Sequence, residues 1–93
     1  MSMAQAVLAN LYAEKSMRGQ ALTRIRSAQG LSPDDPQILQ EVADAAEKLG
    51  DRKAALEYIN RALQKGATID SLASDPDLQE LVKDPGVRLP AKS

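Results

Sequence analysis

Between residues 36 and 66, apolar and small side chains recur at steps of three and four. Leu39, Val42, Ala43, Ala46 and Leu49 form one row, and Ala55, Leu56, Ile59, Ala62 and Leu63 form the next, with Gly50-Asp51 between them. Each row is the signature of a helix with one buried face. Sliding the chain along itself by 34 residues places Leu8 on Val42, Ala9 on Ala43 and Tyr12 on Ala46. The same shift places Ala21 on Ala55, Leu22 on Leu56, Ile25 on Ile59 and Ala28 on Ala62, without a gap. A period of this length points to repeated copies of one helix–turn–helix unit, and one such unit cannot bury its apolar side alone.

The punctuation along the chain agrees with four main helices. Ser2 with Gln5 three residues on fits a capping box for a first helix over residues 2–14, with Ala4, Leu8, Leu11 and Tyr12 inward. Ser16 is a candidate cap for a second helix over about residues 17–28, with Ala21, Leu22, Ile25 and Ala28 inward. Gly30 is the expected stop for that helix. Asp35 caps the third helix and Pro36 takes its first position, where a missing N–H does no harm. Gly50 ends the third helix, Asp51 caps the fourth, and Lys65-Gly66 closes it.

After Gly66 the pattern changes. Residues 68–74 predict a loose helical turn carrying Ile69 and Leu72. Asp75-Pro76 then opens a short helix over residues 77–83, with Leu78, Leu81 and Val82 on one side, and Asp84-Pro85-Gly86 ends it. Leu72, Leu78, Leu81 and Val82 are expected to cover the fourth helix. The reading is thus an all-α domain over residues 1–86, with unit one at 2–35, unit two at 36–67 and a capping segment at 68–86. Residues 87–93 lack periodicity and are expected to be a disordered tail.

Composition excludes several kinds of chemistry. The 93-residue chain has no Cys, His or Trp, and its formal net charge is −1. Disulfides, Cys/His zinc sites and His-dependent nucleophilic catalysis are therefore excluded. A nearly balanced charge and two tyrosines do not make the basic, aromatic-lined footprint of a nucleic-acid binder. No apolar run is long enough to span a bilayer, and the N-terminus lacks the basic start and apolar core of a secretory signal. A cytoplasmic location is the expectation. The Asp34-Asp35 and Asp75-Pro76-Asp77 pairs could be read as metal ligands, but their positions before proline or a helical run account for them as caps. The glycines stand singly at element ends and form no phosphate-cradling loop. No enzyme activity, cofactor or metal is expected.

The small positions Ala9, Ala21 and Ala28 in unit one and Ala43, Ala55 and Ala62 in unit two, with Tyr12, Ile25, Pro33 and Gly50-Asp51, resemble the tetratricopeptide repeat (TPR). The likeness covers residues 2–67. It departs at Gln5 and Leu39, where the family favours an aromatic, at Ser16-Met17, where it favours Gly-Asp, and at Ala67, where it favours proline. The resemblance implies a right-handed α-solenoid of two stacked TPR hairpins closed by a short capping helix. The alternative is an ordinary four- or five-helix bundle whose alanines are simply good helix formers.

The resemblance also implies that the first helix of each unit lines a concave groove where peptides or partner helices dock. Carried onto this chain, the peptide-binding positions are Ala6, Val7, Asn10, Gln37, Gln40, Glu41, Asp44 and Glu47, with Met3, Ala13, Glu14 and Lys48 beside them. Asn10 matches one asparagine of the family's carboxylate clamp, but Ala6 and Glu41 replace a lysine and a second asparagine, so no clamp is expected. Glu41, Asp44 and Glu47 are read as one acidic face, giving a preference for basic, partly apolar segments. The expected function is protein–protein interaction with another protein or peptide, without nucleic acid or membrane. Two alternatives stand beside it. One is self-association into a homodimer through Met1, Met3 and Val7, and the other is a C-terminal scaffold segment of a larger signalling protein or enzyme.

Overall fold

The computed structural model describes residues 1–89. Among these the fold is all-helical: α1 (Ser2–Glu14), α2 (Arg18–Leu31), α3 (Pro36–Lys48), α4 (Arg52–Gln64), α5 (Ile69–Ala73), a 3₁₀ turn (Pro76–Leu78) and α6 (Gln79–Val82). A shift of 34 residues carries Ser2–Glu14 onto Pro36–Lys48 and the start of α2 onto the start of α4. None of the described helices is long and apolar enough to cross a membrane.

α1 packs on α2, α3 on α4, and α1 on α3, so α3 is the central element. One apolar cluster joins Ala6, Ala9 and Ala13 of α1 to Ala21, Ile25 and Ala28 of α2 and to Ile38, Val42 and Ala45 of α3. A second joins Ala43 and Ala46 of α3 to Ala55, Ile59 and Leu63 of α4 and to Leu72, Leu78 and Leu81 of the capping segment. α3 serves both clusters, and for that reason it is buried on nearly all sides from Ile38 to Ala46. Ala9, Ala21, Ala28, Ala43, Ala55 and Ala62 are all fully buried. Short side chains at these places let the helices approach closely.

The caps divide into two kinds. Asp35, Asp51, Thr68 and Asp75 each accept a backbone N–H with the side chain, as Ser/Thr/Asp/Asn caps do. The first two helices start differently. Ser2 lies inside α1, whose cap is Met1 without a side-chain bond. Its Oγ instead meets Ser32 Oγ at 2.6 Å, and Gln5 Oε1 accepts from Arg24 Nη1 at 2.9 Å. The capping-box residues have been taken over by tertiary contacts. Ser16 does not cap α2; Met17 stands there, again without a side-chain bond, and Ser16 adopts φ +58°.

Other boundaries also move. α2 runs through Gly30 to Leu31, because Pro33 rather than the glycine ends it; Ser32, kept out of the helical region before the proline at φ −146° and ψ 71°, is the cap. Leu11 and Ala4, expected inward, face solvent, and the buried row of α1 is Ala6, Ala9 and Ala13. The expected helix over residues 77–83 is split into the 3₁₀ turn and α6. The chain does not become irregular tail at residue 87. Val87 packs on the second cluster, and Asn60 holds the backbone from both sides. Its Nδ2 donates to Gly86 O at 3.0 Å, and its Oδ1 accepts from Arg88 N at 2.7 Å. The rest of the expected tail, residues 90–93, lies outside the described residues.

Candidate functional site: an acidic cleft between the first helices and the cap

α1, α3 and the Asp75–Asp77 turn enclose a cleft of about 360 Å³. Val7 and Leu11 form its apolar side, 42% and 47% exposed. They lie one turn apart on α1, so they share a face. The other walls carry Asn10, Glu14, Glu41, Asp44, Asp75, Asp77 and Lys48. Five carboxyl groups thus surround one ammonium.

Lys48 is the hub of the polar side. Its Nζ donates to Glu14 Oε1 at 2.8 Å and to Asn10 Oδ1, and stands 3.4 Å from Asp77 Oδ2. Asn10 Nδ2 in turn donates to Glu41 Oε2 at 2.9 Å. Burial pulls the Lys48 ammonium down, but its bonds to Glu14 and Asp77 outweigh this and hold it above the ordinary lysine value. The same bond to Lys48 lowers Glu14. The network connects α1, α3 and the capping turn through exposed and half-buried groups.

Asp44 is the exception. It is 3% exposed, and no donor among the described residues reaches its Oδ1. Burial pushes its carboxyl up to about 8, aided by hydrogen bonding with and repulsion from Asp75, then repulsion from Glu41 and Asp77. A carboxyl with that value is mostly neutral at pH 7. Asp44 is therefore not the exposed groove charge expected from its place in the sequence.

The other expected groove residues separate. Val7, Asn10, Glu41 and Asp44 come together in the cleft. Ala6 is fully buried in the first cluster and cannot touch a groove ligand, and Ala13 is buried beside it. Gln40 is half-buried, with Nε2 3.5 Å from Asp75 Oδ2, and Gln37 is exposed at the start of α3. Glu47 points elsewhere. Its carboxylate takes a two-pronged bond from Arg52, at 2.7 and 3.0 Å, and Arg52 also binds Asp84 at 2.9 Å. The physical reason is helical drift. A step of three residues falls short of a full turn by about 60°, so Glu41 and Glu47 lie about 120° apart. Met1 and Met3 are 92% and 37% exposed and flank the cleft rather than line it.

Sequence reasoning missed Leu11, Asp75 and Asp77 as cleft residues. The capping role of Asp75 is real, since its Oδ1 accepts from Asp77 N at 3.0 Å. That role uses one oxygen and leaves the other facing α3. A larger hollow of about 740 Å³ follows the outer side of α4. There Arg61 and Lys65 gather on Asp34, at 2.9 and 4.0 Å, and all three side chains are about half exposed.

Comparison of the chain with known protein families, curated proteins and solved structures finds no match.

Proposed function

We propose that the chain is a TPR-type pair of stacked hairpins whose concave cleft docks a basic, partly apolar helix or peptide of another protein. The observation that carries this reading is the cleft itself, where Val7 and Leu11 stand exposed beside Glu14, Glu41 and Asp77, with Lys48 as the single cation. An amphipathic segment placing aliphatic side chains on Val7 and Leu11 and Lys or Arg along the carboxylates matches both walls. The repeat of helix boundaries at 34 residues and the burial of all six small positions support the tetratricopeptide reading. The role is non-enzymatic: the chain holds no His or Cys, and Asp35, Asp51 and Asp75 serve as caps while Glu14 and Glu47 are held in ion pairs.

Fluorescence anisotropy with labelled helical peptides tests the proposal. A Leu/Lys amphipathic peptide binds, a Leu/Glu peptide of the same pattern does not, and Glu14→Lys with Glu41→Lys removes the difference. Equal binding of both peptides contradicts it.

A second reading has its own observation. Met3, Val7 and Leu11 form an exposed apolar row on α1 at steps of four, with Met1 beyond. Such a row also suits contact with a second copy of the chain. Sedimentation across a wide concentration range separates the two, because self-association makes the sedimentation coefficient rise with concentration.

A further inference from the structure

We propose that Asp44, Asp75 and Asp77 form a site for a hard divalent cation, Ca²⁺ in preference to Mg²⁺, that ties the capping segment to α3. Each offers one carboxylate oxygen, and the three atoms lie within 4.8 Å of one another. They come from two elements far apart in the chain: the middle of α3 and the Asp75-Pro76-Asp77 turn.

Capping accounts for only part of this arrangement. Asp75 Oδ1 serves the turn, while its Oδ2 has Gln40 Nε2 at 3.5 Å. Asp77 Oδ2 has Lys48 Nζ at 3.4 Å. Asp44 is 3% exposed and bonds only to the neighbouring Asp75 carboxyl, while its buried Oδ1 accepts no hydrogen bond. Buried polar groups are normally satisfied, so a buried carboxyl with an oxygen that no donor reaches, set beside two more carboxylates, points to a ligand among them.

The donor set fixes the kind of ion. It is all oxygen, in a chain without His or Cys, which suits Ca²⁺, Mg²⁺ or Mn²⁺ and not zinc or copper. Ca²⁺ takes oxygens at about 2.3–2.6 Å in flexible geometry, whereas Mg²⁺ demands a near-ideal octahedron at about 2.0–2.1 Å. Three carboxylate oxygens drawn from two separate elements, within 4.8 Å of one another, suit the more tolerant ion. Asp77 is exposed, so water has access to complete the coordination. The site borders the docking cleft and shares Asp77 with it, but it does not rest on the docking reading.

The test uses the full chain, stripped with EDTA and returned to low-salt buffer. Thermal melting is followed with CaCl₂, with MgCl₂, and with KCl at matched ionic strength, alongside calorimetric titration of CaCl₂. The expected result is a saturable heat for a single ion per chain and a melting temperature raised more by Ca²⁺ than by Mg²⁺ or KCl. Asp44→Asn and Asp77→Asn both remove the effect. Asp77 is exposed, so its variant keeps the fold and keeps the test decisive if Asp44→Asn does not fold. A shift that KCl reproduces, or one that survives in Asp77→Asn, overturns the proposal. So does the absence of any calcium heat.

Discussion

Ser16 holds the left-handed backbone conformation that Gly50 holds one repeat later, φ +58° against +79°. The surrounding hydrogen bonds match. Ser16 N donates to Ala13 O and Met17 N to Tyr12 O, as Gly50 N does to Glu47 O and Asp51 N to Ala46 O. The geometry of the turn is therefore set by helix packing, and only the second unit has residues suited to it. Ser16→Gly removes a left-handed penalty of roughly 1–2 kcal/mol, less the extra freedom glycine has in the unfolded chain. Met17→Asp supplies the missing cap, worth about 1 kcal/mol. The double variant is expected to melt several degrees higher in a calorimeter, and an unchanged or lower midpoint contradicts the account of this turn.

The small residues at helix crossings give the converse prediction. Ala43 and Ala55 are fully buried in the second cluster. Ala43→Leu and Ala55→Leu each force extra volume between α3 and α4, at a cost of about 1–3 kcal/mol. Urea unfolding measures it, and neutral outcomes at both positions mean that the crossings are looser than described.

Asp44 makes stability depend on pH with an unusual sign. Its carboxyl titrates near 8 in the folded protein against an ordinary 3.8, because burial and then Asp75, Glu41 and Asp77 disfavour the charge. Between those values the folded state holds a proton that the unfolded state has released. Stability from this group is thus fully present below the ordinary value and is lost as pH rises through about 8. Glu14 and Asp84 are lowered and act in the opposite direction, but only at more acid pH. In the presence of EDTA, the midpoint of thermal unfolding should fall between about pH 5.5 and pH 8.5, by the equivalent of a few kcal/mol. Asp44→Asn should flatten the slope. A wild-type profile flat over that window contradicts the burial of an unpaired carboxyl.

The capping segment extends further than its apolar residues. Leu72, Leu78 and Leu81 are fully buried against α3 and α4, so deleting residues 68–93 exposes the second cluster and should cause aggregation. Asn60 then secures the following strap. Asn60→Ala removes bonds to Gly86 O and Arg88 N and should cost roughly 1–3 kcal/mol. A Cβ at Gly86 would sit 2.9 Å from the Leu56 Cδ1 methyl, so Gly86→Ala requires the Leu56 side chain to move aside. Full stability in Asn60→Ala means that the strap beyond Asp84 contributes nothing.

Much of the helical framework was legible in the sequence because it is written in local chemistry. The apolar rows of α3 and α4, the Asp35-Pro36 and Gly50-Asp51 signals and the Asp75-Pro76 turn each act over a few residues. What was not legible depends on distant partners. Ser2 and Gln5 look like a capping box until Ser32 and Arg24 engage them. Leu11 looks like core until the alanines of α1 prove to be the closer packing face. Asp44 looks like one more surface carboxylate, and only the folding of the Asp75–Asp77 turn onto α3 buries it. Glu47 leaves the cleft because two steps of three turn it about 120° from Glu41, to the side where Arg52 of the next helix binds it.

The central claim is that a partner docks in the cleft formed by α1, α3 and the capping turn. Two-dimensional ¹H–¹⁵N NMR of the labelled chain, titrated with the Leu/Lys amphipathic peptide, tests it residue by residue. The account predicts saturable shifts at the amides of Val7, Asn10, Leu11, Glu41 and Lys48, weakening as salt is added, with Arg26, Lys53 and Glu57 on the outer helices unmoved. Shifts confined to α2 and α4, or shifts at the cleft indifferent to salt, would contradict it.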